Sequence, residues 1–208
     1  MASSSELRAR VPASRVAASL VAASVLALGL AGTLSCNPGA GAGSLTGTLT
    51  VRDCGLVDAP FDLDPDFFIA EGLLAGLHIR IQHGSDLPVR SDGFWIDVLT
   101  SQAIVDLGLG TPVPVASGSR EDPLKVSLYL NATCPVSRHT APVVLEGVGG
   151  TVTFEQIYDP ATPGQPNIVG TLDSVDLVDP ASPSTRHATV SGSFDFIYNR
   201  GRPAQRYP

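Results

Sequence analysis

The chain lacks the spacings on which hydrolytic and metal chemistry are commonly built. It has no Gly-x-Ser-x-Gly turn to present a serine and no His-Glu-x-x-His pair. No two of its cysteines lie close enough in sequence to share a zinc ion. The histidines His78, His83, His139 and His187 stand in no ligand spacing. Lys125 is the lone lysine, and the acidic residues outnumber the basic ones, 20 against 13. Such a balance excludes attraction of nucleic acid through the overall field. No segment repeats with a period that a propeller or solenoid would need. With 21 glycines and 17 prolines punctuating it, the chain leaves no room for a long amphipathic helix.

What is present begins at the N-terminus. Arg8, Arg10 and Arg15 form a basic start, and Val16 to Leu34 then runs without a charge. That run of about 19 residues approaches the ~20 of a membrane span. It is nevertheless rich in alanine, holds Ser19, Ser24 and Gly29, and is followed by no basic stop-transfer cluster. Residues 1–35 therefore read as a cleaved bacterial export signal. The small residues before Cys36 fit a cut at that cysteine, where acyl chains would be attached. Thr33 departs from the usual leucine of the lipoprotein pattern, and ordinary secretion after Ala31 is the rival. Asn37 to Ser44, made of small residues with one proline, reads with Cys36 as a flexible tether over residues 36–44. A single domain over residues 45–208 follows.

Three cysteines in an exported chain leave an odd one. If Cys36 carries lipid, Cys54 and Cys134 remain to pair in an oxidising compartment. Removal of residues 1–35, which carry three arginines and Glu6, takes the net charge from −7 to −9. The expected partner is thus the membrane, reached through the lipid and not through charge.

The domain reads as all-β. Thr46 to Val51 is rich in β-branched residues. Leu77, Ile79 and Ile81 alternate with polar neighbours, as do Leu124, Val126, Leu128 and Leu130, while Phe94 to Leu99 is apolar on both faces. Val190, Gly192, Phe194, Phe196 and Tyr198 share one parity. Gly147-Val-Gly-Gly150 suggests a hairpin turn between Val143–Leu145 and Val152–Phe154. The parity switch between Leu172 and Val175 suggests a bulge near Asp173. Asp66 to Leu77 is the best helix candidate, although Gly72 and Gly76 weaken it. The expectation is an antiparallel β-sandwich or barrel of about eight or nine strands after the N-terminal signal segment.

Few residues invite a chemical role. Asp62, Asp64 and Asp66 are alternate carboxylates and metal candidates for calcium. An EF-hand loop starting at Asp62 would need glycine and glutamate where Phe67 and Leu73 stand, so a loop site would need distant oxygens. The bland alternative is a set of solvated turn residues. Trp95, the only tryptophan, is a ligand-binding candidate as a stacking platform, against half-buried sheet packing. His83, Ser85 and Asp86 are neighbours on a turn, which does not build a triad. Arg200, Arg202 and Arg206 form the one basic cluster, able to meet an anionic partner.

The segment Ser91-Asp-Gly-Phe94, the run Leu128-Tyr-Leu-Asn-Ala-Thr-Cys-Pro135 and the ending Gly192 to Pro208 resemble those of uncharacterised lipoproteins of myxobacterial type. The resemblance implies an envelope lipoprotein with a β-rich domain and implies no activity. The expectation is a non-enzymatic binding or structural module without a cofactor, lipid-anchored through Cys36 at the bacterial outer membrane and stapled by Cys54–Cys134. Its protein or glycan ligand is open. The alternative address is a secreted or periplasmic soluble protein. The alternative functions are an envelope hydrolase acting on glycan or peptide, and a carbohydrate- or calcium-binding module.

Overall fold

Alternation of apolar and polar side chains governs the described part of the chain, and burial follows it. Along Leu124–Leu130 every second residue is buried and every other half-buried, as a sheet with one face on a core requires. The computed structural model describes residues 40–73, 76–84, 90–115, 122–135, 142–158 and 166–198. Residues 1–39, Cys36 among them, together with Ser85, Asp86, His139, Arg200, Arg202 and Arg206, lie outside the described residues.

In chain order the strands are β1 (Gly41–Val51), β2 (Leu56–Leu63), β3 (Phe67–Leu73), β4 (Gly76–Gln82) and β5 (Asp92–Val98). After a short helix α1 (Ser101–Leu107) come β6 (Pro112–Pro114), β7 (Leu124–Leu130), β8 (Val144–Gln156), β9 (Asn167–Val178) and β10 (Arg186–Ile197). They form one sheet in the order β2-β1-β10-β9-β8-β7-β5-β4-β3, with β6 paired to β8. Every pairing is antiparallel. The all-β expectation holds, with nine strands in the continuous path and β6 as a tenth.

Why the sheet curls follows from connectivity. The two edge strands, β2 and β3, are joined only by Asp64-Pro65-Asp66, and such a link spans at most about 14 Å. The edges must therefore come round towards each other, which makes a half-barrel. Inside it, Phe68 of β3 packs on Phe196 of β10 with ring centroids 5.8 Å apart. Phe154 meets Phe194 edge-on at 5.9 Å. Phe94, Phe154 and Phe194 are almost wholly buried in a core that runs the length of the sheet.

Three sequence readings change, and one element is new. The tether does not extend to Ser44, because Gly41–Ser44 are the first residues of β1, paired with Phe196 to Ser193 of β10. A Cβ at Gly41 would stand 2.6 Å from the Phe68 ring and 2.8 Å from Phe196 Cβ. The glycine there permits close packing, not slack. The helix proposed over Asp66–Leu77 is instead β3 and the start of β4, paired from Phe67↔Gln82 to Leu73↔Gly76. The glycine-rich hairpin is absent too, since β8 runs through Gly147–Gly150 as one 13-residue strand. Its register slips there against β9, and Gly150 has φ +85°, with a Cβ there 2.3 Å from the Ser174 carbonyl oxygen. Finally, α1 had no sequence signal beyond the buried Ile104 that now pins it to the core.

The bulge near Asp173 is present. Val190 faces Val175 while Gly192 faces Leu172, so Asp173 and Ser174 together oppose Ser191. Ser174 adopts φ +48°, and its N–H donates to Ser191 Oγ at 2.9 Å. One extra residue thereby switches which parity faces the core.

Candidate functional site

Two places on the half-barrel gather polar side chains. The first is a cleft of about 430 Å³ lined by Asp62, Asp64, His83, Arg90, Ser91 and Asp92. Their positions come from strand ends: Asp62 is the last residue but one of β2, His83 follows β4, and Asp92 opens β5. Only part of this set is open to a ligand. Asp92 is buried. Its carboxylate accepts from the Ala132 N–H at 2.8 Å, the Thr133 N–H at 3.1 Å and the Thr133 hydroxyl. It therefore shapes the turn that leads to Cys134. Asp62, Asp64 and Arg90 are exposed.

The alternate carboxylates do not meet on one point. Asp66 accepts the Gly84 N–H, and the Asp64 backbone carbonyl accepts from His83 Nδ1 at 2.8 Å. With the Asp66 N–H bonded to the Gln82 carbonyl at 3.2 Å, the β2–β3 link is clasped to the end of β4. No group of three or more His, Cys, Asp or Glu side chains among the described residues could hold a metal ion. Of the three carboxylates, that of Asp66 serves the clasp of the β2–β3 link, while Asp62 and Asp64 face the cleft. His83 is a satisfied strand-end histidine.

The second place is the outer face of β4, β5 and β7. Trp95 pairs in register with Arg80 and Ser127, and its diagonal neighbours are His78 and Tyr129. The Tyr129 ring lies over it at 4.1 Å between centroids, tilted by 34°, and the His78 ring meets it at 4.9 Å in a T-shape. His78 Nδ1 hydrogen-bonds the Asp97 carboxylate. Trp95 is thus half-buried and flanked on two sides, and it does not line the cleft. These contacts are those of half-buried sheet packing, the alternative weighed for Trp95. Tyr129, Asp97, Asp92 and Arg90 escaped the sequence reading, because cross-strand partners carry no local signature.

Burial raises the Tyr129 phenol above the ordinary tyrosine value, and the carboxylates of Asp97 and Glu146 raise it further. The unfolded phenol ionises near pH 10, and the folded one at higher pH. Stability contributed by this group is complete below about pH 10 and is lost as pH rises through the folded value. A titration at 295 nm, differenced against Tyr129→Phe, should show one phenol ionising late, and Asp97→Asn should bring it earlier. Ionisation of Tyr129 at or below the free-tyrosine pH would refute the assignment.

A third feature ties the ends of strands together. Cys54, in the single helical turn Arg52–Cys54 after β1, is disulfide-bonded to Cys134 beyond β7, with Cα atoms 5.8 Å apart. Beside it Arg186 spans two carboxylates, bonding Asp53 and, at 2.8 Å, Asp179. The hydrogen bond to Asp53, then that to Asp179, holds the guanidinium above its ordinary value, so the clamp stays charged throughout the working pH range. Among the described residues no helix is long and apolar enough to cross a membrane. Compared with family models, curated proteins and solved structures, the chain matches none of them.

Proposed function

We propose that the mature protein is a lipoprotein of the bacterial cell envelope, held at the outer membrane by acyl chains on Cys36, with its β-domain serving as a binding or structural module. The observation that supports this reading is the Cys54–Cys134 disulfide. It occupies two of the three cysteines, is characteristic of an oxidising compartment, and leaves Cys36 for the lipid. The apolar run before Cys36 and the resemblance to uncharacterised lipoproteins of myxobacterial type point the same way.

A ligand, rather than a substrate, suits the cleft. Hydrolysis of glycan or peptide would use an uncommitted acid and base pair, or a histidine oriented by a carboxylate towards a serine. Here Asp92 is held by the 132–133 turn, and His83 Nδ1 is bonded to a backbone carbonyl. The exposed Asp62, Asp64 and Arg90 suit polar recognition of hydroxyl-rich or charged groups. Palmitate labelling in a bacterial host tests the anchor. The wild type should incorporate label and Cys36→Ala should not; an unlabelled wild type in the soluble fraction would establish ordinary secretion instead.

A further inference from the structure

The cleft holds charges that the protein itself leaves unanswered. Leu63 is buried, so Asp62 and Asp64 stand together on the other side of the strand end, their Cα atoms about 6.6 Å apart. The bond from His83 Nδ1 to the Asp64 carbonyl fixes that end in place. Arg90 is exposed in the same cleft. Among the described residues, the carboxylates of Asp62 and Asp64 and the guanidinium of Arg90 enter no ion pair or hydrogen bond. Ser91 is an independent sign. It lines the cleft and is only 6 % exposed, yet its hydroxyl has no hydrogen-bond partner among the described residues. Its Oγ lies 3.7 Å from where a Cβ on Gly84, another residue of the cleft wall, would stand. Buried polar groups are seldom left without a partner, and here the cleft supplies the space for one.

We propose that the cleft binds a free amino acid with a cationic side chain, of the lysine type, with its carboxylate on Arg90 and Ser91 and its two ammonium groups on Asp62 and Asp64. The inference rests on the reading of the β-domain as a binding module. Asp92 takes no part, because the 132–133 turn already occupies its carboxylate. The available side chains then offer two negative charges and one positive, which a ligand with two ammonium groups and one carboxylate balances. Each group suits its counterpart. A guanidinium only donates, in a planar fork that matches a carboxylate, and the Ser91 hydroxyl can donate beside it. Carboxylates only accept, and an ammonium only donates. A purely anionic ligand would meet an acidic chain of net charge −7, which repels it. Single exposed ion pairs are weak, so selectivity lies in the demand for both signs at once. At about 430 Å³, the cleft is at the small end of the range of ligand sites, as an amino acid requires.

Isothermal titration calorimetry of the full-length protein in detergent, at low ionic strength, tests this with L-lysine, L-norleucine and cadaverine. Norleucine lacks the second ammonium, and cadaverine lacks the carboxylate. Lysine should bind, and the other two should bind about tenfold more weakly. Arg90→Gln should weaken lysine about tenfold and leave cadaverine unchanged. Asp62→Asn and Asp64→Asn should each weaken both. Ser91→Ala should weaken lysine while its urea midpoint stays that of the wild type, since the hydroxyl serves a ligand and not the fold. Equal binding of lysine and norleucine, or lysine binding indifferent to Arg90→Gln and Ser91→Ala, would overturn the proposal. So would the absence of lysine binding, and N-acetylglucosamine titrated in parallel then separates two failures. Binding of that sugar would overturn the choice of an amino acid and leave the binding module standing. Binding of neither would remove the binding module along with this ligand, and leave a structural one.

Discussion

Loss of the Cys54–Cys134 bond should lower the free energy of unfolding by roughly 4–5 kcal/mol, the largest single effect expected in the domain. The bond closes 80 residues of chain, so its removal restores a large amount of freedom to the unfolded state. Its place in the sheet explains why it stays formed. Cys54 leaves β1 on one side of the half-barrel and Cys134 follows β7 on the other, four steps away in the strand order. Curling brings them within bridging distance, and both are buried. Urea unfolding of the oxidised protein should be compared with that of the Cys54→Ala, Cys134→Ala double variant. The variant's midpoint should fall far enough that, for a domain of ordinary stability, much of the folded margin is gone. Non-reduced peptide mapping should show the two cysteines joined. Equal midpoints, or two free thiols, would remove the staple from the account.

Second in size is the buried carboxylate of Asp92. Asp92→Ala should cost about 3 kcal/mol, because it leaves two backbone N–H groups and a hydroxyl of the 132–133 turn without their acceptor in a partly buried place. Asp92→Asn retains one acceptor oxygen and should cost about half as much. Thr133→Ala should cost about 1 kcal/mol alone, and its effect should shrink in the Asp92→Ala background, since the two share a bond. The same turn presents Cys134, whose N–H bonds the Leu130 carbonyl at 3.0 Å. Disulfide reduction should consequently be faster in Asp92→Ala than in the wild type. Stability within about 0.5 kcal/mol of wild type, the range of an ordinary surface change, would show that the turn is held by something else.

The strands with strict alternation were readable residue by residue. Leu124–Leu130, Leu77–Ile81 and the parity of Val190, Phe194 and Phe196 are local patterns, and burial follows them. Even the bulge at Asp173 announced itself, since one inserted residue must shift parity. Misreadings fell where one local pattern has two outcomes. Phe67–Leu73 is apolar enough for either period, and pairing with β4 decides for the strand. Gly147–Gly150 resembles a turn until the Ser174 backbone comes close enough to exclude a side chain at Gly150. Gly41 resembles a tether until the Phe68 ring occupies the space a Cβ would take. For the site the contrast is sharper. Asp62, Asp64 and Asp66 were visible as a row, but their separate duties were not: Asp66 clasps Gly84, while Asp62 and Asp64 line the cleft.

Read alone, the amino-acid sequence determines an all-β domain, an acidic chain behind an export-like segment, and three cysteines of which two can pair. These are properties of composition and of neighbours a few residues apart. The tertiary structure decided that the sheet curls into a half-barrel, that Cys54 reaches Cys134, that Trp95 packs between His78 and Tyr129, and that Asp92 shapes a turn forty residues away. Each of these depends on which strands lie side by side, and pairing is set by the free energy of the whole core.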